Sequence, residues 1–183
     1  MQDRGAVLKG HFQLSSGRHS DTYIQKFRVL DDPRLTTRLG EALAERFDEG
    51  FDVVAAPAVG AIVLGFATAL AAGTRSIFAE RENGGMTFRR GFHLASGERV
   101  VIVEDVITTG GSAAEIVELV SGAGAVPVGV GALIDRGDPC RKELPAPLRA
   151  LVTLDVDSWT ADRCPLCAAG LPLEDPGSRR LRA

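Results

Sequence analysis

The alternation of apolar and polar positions predicts helices and strands in turn along the middle of the chain. In residues 33–48, apolar side chains recur at helical spacing and charged ones occupy the other faces, which predicts an amphipathic helix. Asp32 suits its N-cap and Pro33 its first turn. Residues 60–72 lack a polar face, which indicates a helix buried under a sheet or in a subunit interface. Another helix is predicted over 111–122.

Short apolar runs between these helices predict five strands. They cover residues 52–56, 75–79, 99–103, 126–134 and 150–156. Strands that alternate with helices pair in parallel through right-handed crossovers, so the pattern predicts an α/β fold with a doubly wound, mainly parallel five-stranded sheet. Such sheets bind ligands at the carboxyl ends of their strands, and functional residues are therefore expected there.

Residues 80–98 interrupt this regular pattern. The segment ERENGGMTFRRGFHLASGE is rich in glycine and arginine and has no long apolar stripe. It is compatible with a β-hairpin or with a mobile loop.

Composition and charge narrow the class of protein. The 183 residues are 45% hydrophobic and 25% charged, as in one ordinary globular domain. The net charge of −3 gives no support for nucleic-acid binding, which needs a concentrated basic face. The uncharged run 55–72 has nearly the length of a membrane span, but Pro57, Gly60 and Gly65 divide it into a strand end, a turn and a helix.

The N-terminal sequence and the cysteine count indicate a cytoplasmic protein. The first twelve residues contain no apolar segment of the kind found in secretory signals. Three cysteines, an odd number, argue against a disulfide framework.

The chemistry is concentrated in residues 100–112, VVIVEDVITTGGS. Four apolar residues, typical of a strand buried on both faces, lead to Glu104 and Asp105. The following TTGGS opens a helix, where backbone amides, hydroxyls and the positive helix terminus suit a phosphate. The acids suit vicinal hydroxyls or a divalent cation, so the combination indicates a sugar phosphate.

A purely structural interpretation of this segment is that the acids cap a turn and TTGGS merely begins a helix. Either half alone would favour that interpretation, because glycine-rich loops by themselves are weak evidence. The two halves together, one turn apart after an apolar strand, favour a binding site. The segment is not a P-loop, since no lysine follows the glycines, and it lacks the G-x-G-x-x-G of a dinucleotide site.

The segment VVIVEDVITTGGS resembles the phosphoribosyl pyrophosphate (PRPP) signature of the type I phosphoribosyltransferases. Three further stretches resemble the orotate phosphoribosyltransferases in particular. They are GHFQLSSGRHSDTY at 10–23, DVVAAPAVG at 52–60 and ALIDR at 132–136. The resemblance covers about residues 5–170. It implies a small hood, built from residues 5–30 and 157–175, on a core of residues 31–156 within a single domain, 1–183.

The resemblance also implies the roles of individual residues. Glu104 and Asp105 would hold the ribose hydroxyls and, with Arg81, form the catalytic group. Thr108 and Arg136 would bind orotate, the arginine through the orotate carboxylate. The remaining PRPP contacts would come from three segments. The phosphate loop would supply Val106, Ile107, Thr108, Thr109, Gly110, Gly111 and Ser112. The pyrophosphate turn would supply Ala58, Val59 and Gly60, and the arginine-rich segment would supply Arg89 and Arg90. Mg²⁺ would bind through PRPP and not directly to the protein, and the enzyme would be a homodimer.

Arg136 suits this role on chemical grounds, because a planar bidentate cation at a strand end fits a carboxylate ligand. An ion pair with Asp135 or Asp138 is the alternative. Two other functions are compatible with the same fold. The protein could be a transferase for a purine base, or a regulator that senses PRPP without turnover.

Two stretches depart from the family pattern. A lysine commonly precedes the Ser-Gly of the N-terminal motif, where this chain has Ser15. The usual lysine-rich loop is replaced by residues 80–98, which offer Arg81, Arg89, Arg90 and His93 to neutralise pyrophosphate. Arg81 and one of the two adjacent arginines are expected to close over this leaving group. The alternative is a solvated hairpin whose arginines have no role.

Cysteine and histidine form a second group of candidates. Cys164 and Cys167, in a C-x-x-C spacing, are half of a zinc site, which Cys140 or a dimer partner could complete. Reduced thiols without metal are the alternative. His11 and His19 lie in the N-terminal motif, and lone histidines are more often hydrogen-bonded structural residues than catalysts.

Overall fold

The computed structural model describes residues 4–14, 16–137 and 143–176. The chain divides into two compact units, one of Leu30–Leu154 and one that joins Met1–Val29 to Asp155–Ala183. These divisions lie close to the expected core and hood, while the grouping of both into one domain stays a prediction. The strands are β1 Val7–Gln13, β2 His19–Ile24, β3 Val53–Pro57, β4 Arg75–Glu82, β5 Gly85–Phe88, β6 Arg99–Ile107, β7 Val126–Asp135 and β8 Leu148–Thr153. The helices are α1 Phe27–Leu30, α2 Pro33–Ala44, α3 Ile62–Ala72, α4 Gly111–Gly122 and α5 Pro165–Ala168.

The larger unit is built on a six-stranded sheet in the order β5-β4-β3-β6-β7-β8. Five strands pair in parallel, and β5 pairs antiparallel with β4 at one edge. The predicted α/β fold with a mainly parallel sheet is confirmed, but the predicted number of five strands is wrong. The sixth strand comes from residues 80–98, of which the first part is a β-hairpin.

A two-residue turn explains this hairpin. Glu82 pairs with Gly85, so Asn83 and Gly84 alone connect the strands. Both have positive φ, 49° and 88°, as a type I′ turn requires. The Asn-Gly dipeptide is a strong short-range hairpin signal, and it favours the hairpin over the mobile loop, two alternatives that the sequence pattern left open.

The crossover connections between parallel strands indicate where a ligand site is expected. From β3 the chain passes through α3 to β4 on one side, and from β6 it passes through α4 to β7 on the other. The strand order therefore reverses between β3 and β6, which are neighbours in the sheet. Ligands of open α/β sheets bind outside the carboxyl ends of the strands at such a switch point.

Close packing of Phe47 on the sheet and of α2 on α3 accounts for several glycines in the core. A Cβ at Gly129 or Gly131 in β7 would lie 2.8 Å or 3.1 Å from the ring of Phe47. A Cβ at Gly40 in α2 would lie 2.5 Å from the backbone of Ala67 in α3. These positions let the backbones approach more closely than any side chain would permit.

Helix α3 buries one face and exposes the other. Leu64 is fully buried, whereas Val63, Phe66 and Leu70 are 48%, 59% and 63% exposed. The uncharged run from residue 55 divides as expected into the end of β3, a turn and α3. Across the described residues, no helix combines the length and the apolar character that crossing a membrane requires.

The smaller unit is built on the antiparallel pair β1–β2. Two short segments from the C-terminal half extend this pair. His19 and Trp159 exchange backbone hydrogen bonds of 2.8 Å and 2.9 Å. On the other strand, the Glu174 amide donates to the His11 carbonyl at 2.8 Å.

Candidate active site

The two acidic residues lie within the last part of β6 and not after it. The strand was expected to end at Val103, but it remains paired with β7 as far as Ile107. Side chains alternate along a strand, so Glu104 is half-buried on one face and Asp105 is 2% exposed on the other. Asp105 Oδ1 accepts a hydrogen bond of 2.7 Å from the Val106 amide. The Ile107 side chain packs in the core, which leaves only its backbone near the site.

The phosphate loop follows directly and ends at the N-terminus of α4. Thr108 and Thr109 are half-buried, and Gly110 is the N-cap residue with a φ of 74°. Only glycine adopts this conformation without strain. Among the described residues, no side chain caps the amides at the start of α4. These amides and the positive end of the helix are suited to an anion, which is the ligand that the sequence predicts for residues 108–112.

The turn after β3 lies beside this loop. Ala55 pairs with Ile102, so the end of β3, two residues further along, lies at the level of Glu104 in β6. The Ala58 amide donates to Ala79 at 2.8 Å, and the Ala58–Val59 peptide is cis. Ala58 and Gly60 are half-buried and Val59 is 75% exposed. The predicted pyrophosphate turn thus borders the acidic residues on one side.

Arg136 borders them on the other side. It follows the last residue of β7, is 7% exposed, and its amide donates to the Ile107 carbonyl at 3.0 Å. The Asp135 carboxylate accepts the Gly137 amide at 3.0 Å. Asp138, the other acid considered as a partner, lies outside the described residues, as do Ser15 and Cys140. The structure therefore brings the three predicted binding segments together at neighbouring strand ends.

The three arginines of the hairpin segment each pair with a carboxylate. Arg81 contacts Glu115 at 3.0 Å, Arg89 contacts Glu82 at 3.3 Å, and Arg90 contacts Glu80 at 2.9 Å. The hydrogen bonds from Arg90 hold the pKa of the Glu80 carboxyl below its usual value. The pairs neutralise the cations that were expected to face pyrophosphate, so a role at pyrophosphate requires exchange of partners.

Glu115 is a residue of the site region that sequence reasoning missed. It lies in the first half of α4, and besides Arg81 its carboxylate accepts the Met86 amide of β5 at 3.0 Å. It thus fastens the hairpin to the helix that begins at the phosphate loop. No sequence pattern indicates this contact, because hairpin and helix are separated by about thirty residues and meet only in the tertiary fold.

The acidic pair is compatible with Mg²⁺ that is held mainly by a substrate. Carboxylate oxygens are ligands that Mg²⁺ prefers. In the described part of the chain, Glu104 and Asp105 belong to no group of three or more ligating side chains. A cation here would complete its octahedron with oxygens of water or of a substrate, which is compatible with the expected binding through PRPP.

The two cysteines of the C-x-x-C motif lie next to the two histidines of the N-terminal motif. His11, His19, Cys164 and Cys167 form one cluster in the smaller unit. The sequence showed each pair separately, and only their spatial proximity identifies them as a group.

Comparison with known proteins agrees with this geometry. The family model of the phosphoribosyl transferase domain matches residues 28–159. The orotate phosphoribosyltransferase of Desulforamulus reducens is 48% identical over 178 residues, which are 97% of this chain and 93% of that protein. The corresponding protein of Pelotomaculum thermopropionicum is 47% identical over 98% of this chain and 95% of its own length.

Solved structures give the same result. The crystal structure of orotate phosphoribosyltransferase from Aeropyrum pernix matches with a TM-score of 0.72 at 29% identity, over 84% of this chain and 90% of that one. An adenine phosphoribosyltransferase from Thermoanaerobacter pseudethanolicus matches with a TM-score of 0.65 at 21% identity, over 73% of this chain and 88% of that one, and shares the fold. The chain therefore belongs to the phosphoribosyltransferase family and, within it, to the orotate phosphoribosyltransferases.

Proposed function

We propose that this chain transfers the 5-phosphoribosyl group of PRPP to orotate, which yields orotidine 5′-monophosphate and pyrophosphate in pyrimidine synthesis. The observation that carries the proposal is the arrangement of three strand ends. The turn after β3, the acidic pair in the last part of β6 with the phosphate loop that follows it, and Arg136 after β7 lie side by side at the switch point of the sheet. Pyrophosphate, ribose phosphate and a carboxylated base would occupy these positions in that order.

Each part of the site has a distinct task in this proposal. The uncapped amides of α4 bind the 5′-phosphate, since a helix N-terminus favours an anion. Glu104 and Asp105 accept hydrogen bonds from the two ribose hydroxyls. Their negative charge also stabilises positive charge that develops on the ribose ring as the bond to pyrophosphate breaks.

Orotate binding accounts for the buried guanidinium. Arg136 would donate two parallel hydrogen bonds to the orotate carboxylate, and Thr108 would lie against the ring. This contact orients the ring nitrogen towards the anomeric carbon, where the new bond forms as the bond to pyrophosphate breaks. Adenine, hypoxanthine and uracil carry no carboxylate for this arginine.

The negative charge of the departing pyrophosphate must be neutralised. We propose that the backbone of Ala58–Gly60 binds pyrophosphate and that Arg81, Arg89 and Arg90 exchange their carboxylate partners for it. Mg²⁺ is the proposed cofactor, and on the pyrophosphate oxygens it would spread the charge that develops there.

One assay tests the reaction. The chain is incubated with PRPP, Mg²⁺ and one base at a time, and pyrophosphate release is followed with orotate, uracil, adenine and hypoxanthine. Release with orotate alone is expected. Release with a purine but not with orotate would contradict the proposal, and PRPP binding without any turnover would indicate a regulator instead.

We propose in addition a cytoplasmic homodimer. The exposed apolar face of α3 supports the dimer, since Phe66 and Leu70 border a surface groove of about 290 Å³ that also contains Phe78 and Phe92. Cys164 and Cys167 form no disulfide, which supports a reducing compartment.

A charge on the α3 face tests the dimer. Phe66→Glu is expected to convert a dimer to a monomer in sedimentation velocity. Val126→Glu, at a 50% exposed apolar position in β7, is the matched control and should leave the dimer intact. A monomeric unmodified chain, or equal effects of both variants, would contradict this interface.

A further inference from the structure

Four side chains that bind metals well converge in the smaller unit. His11 lies in β1 and His19 begins β2, while Cys164 precedes α5 and Cys167 lies in it. One nitrogen or sulfur atom of each residue lies within 4.8 Å of the corresponding atom of the other three. The proposed transfer reaction uses none of these residues.

Four of the six distances within the cluster are close to those of a tetrahedral zinc site, and the other two do not exceed 4.8 Å. Zn–N bonds of about 2.0–2.1 Å and Zn–S bonds of about 2.3 Å give about 3.3 Å between two nitrogens and about 3.6 Å between nitrogen and sulfur. His11 Nε2 and His19 Nδ1 are 3.1 Å apart. The Cys164 sulfur is 3.5 Å from His11 Nε2, and the Cys167 sulfur is 3.6 Å from His11 Nε2 and 3.3 Å from His19 Nδ1.

The orientation of His11 is that of a ligand. Its Nδ1 lies 2.9 Å from the Leu171 carbonyl, which can only accept a hydrogen bond. A proton on Nδ1 leaves a lone pair on Nε2, the atom that faces the other three residues. Zinc-bound histidines are held in this way, by a hydrogen bond from the second ring nitrogen to a carbonyl or carboxylate.

Hydrogen bonds alone do not account for the cluster. In the neutral ring, His11 Nε2 offers one lone pair, and three potential donors lie within 3.6 Å of it: His19 Nδ1 and the sulfurs of Cys164 and Cys167. One lone pair accepts one strong hydrogen bond, which leaves the other groups poorly matched in a buried position. A cation at the centre accepts electron pairs from all four atoms at once.

Burial makes this arrangement costly without a metal. His11, His19 and Cys164 are 3%, 4% and 3% exposed. Apart from Cys164, the buried hydrophobic side chains described in this unit are only Ala6, Phe12, Ile24 and Val29. Units with so small a core usually depend on a metal, on disulfides or on association for their stability.

We propose that His11, His19, Cys164 and Cys167 bind one structural Zn²⁺ ion. Two thiolates and two imidazoles in tetrahedral spacing suit Zn²⁺ and not Mg²⁺, which prefers oxygen ligands. Four protein ligands fill a tetrahedral zinc site and leave no coordination position for water or substrate, which indicates a structural role.

The zinc ion would link the two sequence segments of the smaller unit. His11 and His19 come from the N-terminal hairpin, whereas Cys164 and Cys167 come from the C-terminal segment that pairs with it at Trp159 and Glu174. Cys167 is exposed, which gives the metal and chelators access to the site. Zinc removal is therefore expected to lower the stability of the smaller unit first.

Metal analysis of the full-length chain tests the proposal directly. Purified protein, reconstituted with Zn²⁺ and passed through metal-free buffer, should retain about one zinc per chain, as a closed four-ligand site predicts. A mercurial thiol reagent should release this zinc in step with modification of Cys164 and Cys167. Stoichiometric iron in place of zinc, or no retained metal, would overturn the proposal.

Paired variants separate metal binding from general damage. His19→Asn and Cys167→Ser should lose zinc retention and have a lower Tm, which added zinc no longer raises. His93→Asn, which changes an exposed histidine of the other unit, is the matched control and should retain zinc fully. Retention of one tightly bound zinc by both cluster variants would refute the assignment of ligands.

Cobalt substitution provides a test that does not depend on any variant's folding. Co²⁺ added to the zinc-free chain should give the visible bands of tetrahedral cobalt and a thiolate-to-cobalt charge-transfer band. Zn²⁺ should abolish these bands by displacement and should raise the Tm, whereas Mg²⁺ should do neither. Octahedral cobalt spectra without the thiolate band would overturn the proposal.

Discussion

The pair between Arg81 and Glu115 leads to a prediction about PRPP binding. If Arg81 binds pyrophosphate, it must first leave Glu115, so this ion pair competes with the substrate. Replacing Glu115 by glutamine removes the competing charge. The glutamine carbonyl oxygen can still accept the Met86 amide, so the hairpin stays attached to α4. We therefore expect Glu115→Gln to lower the KM for PRPP.

The size of the effect follows from the exposure of the pair. The Arg81 and Glu115 side chains are 44% and 36% exposed, and exposed ion pairs contribute about 0.2–1 kcal/mol. At about 1.4 kcal/mol for each factor of ten, KM should fall about 1.4- to 5-fold. Arg81→Ala should instead raise KM for PRPP, by about 10- to 150-fold if one charge-assisted hydrogen bond to pyrophosphate is lost.

Steady-state kinetics with PRPP varied at saturating orotate measure both effects. Glu118→Gln is the matched control, because it makes the same charge change on an exposed position of α4. It should leave KM unchanged. Unchanged KM in Arg81→Ala would exclude Arg81 from the pyrophosphate site. If Glu115→Gln lowers KM for PRPP equally when Arg81 is replaced by alanine, the proposed competition between Glu115 and pyrophosphate is refuted.

Three further predictions concern specificity, packing and pH. Arg136→Lys should raise KM for orotate about tenfold, because a lysine ammonium replaces the bidentate contact of the guanidinium with the carboxylate. KM for PRPP should stay nearly constant, and equal increases of both KM values would argue against a carboxylate contact. Gly40→Ala should lower the free energy of unfolding in urea by about 1–3 kcal/mol because its Cβ would overlap the α3 backbone. Gly122→Ala, with open space at its Cβ, is the control, and equal losses would refute the packing argument. Hydrogen bonds from Arg149 lower the pKa of Glu49 from 4.5 to about 2, so the pair stabilises the fold above pH 4.5 and this contribution disappears as the pH falls towards 2. The Tm difference between the unmodified chain and Glu49→Gln should shrink over that range, and a constant difference would contradict the assignment.

Local pattern was sufficient for the elements on which the site depends. The helix over 111–122 has the bounds of α4, because its apolar spacing and its glycines act within a few residues of chain. The strand before it was placed correctly at its start but ended four residues early, at Val103. Glu104 and Asp105 look like strand-ending residues, and only the pairing of β6 with β7 carries the strand through them to Ile107.

Long-range pairing decided what the pattern left open. The hairpin and loop alternatives for residues 80–98 were equally compatible with a segment that has no apolar stripe. Pairing of β5 with β4 and the contacts of Glu115 determine the hairpin. The same contacts neutralise Arg81, which composition alone marks only as a basic residue in a glycine-rich segment.

The sequence by itself determined the α/β class, the phosphate loop and the family, because these depend on periodicity and on residues that are contiguous in the chain. Tertiary structure alone decided which distant residues meet. His11 and Cys164 are 153 residues apart, and their side chains are in contact at 3.5 Å. A spacing rule can find half of a metal site within one segment, but the other half is supplied by strand pairing between the two ends of the chain, which no local pattern encodes.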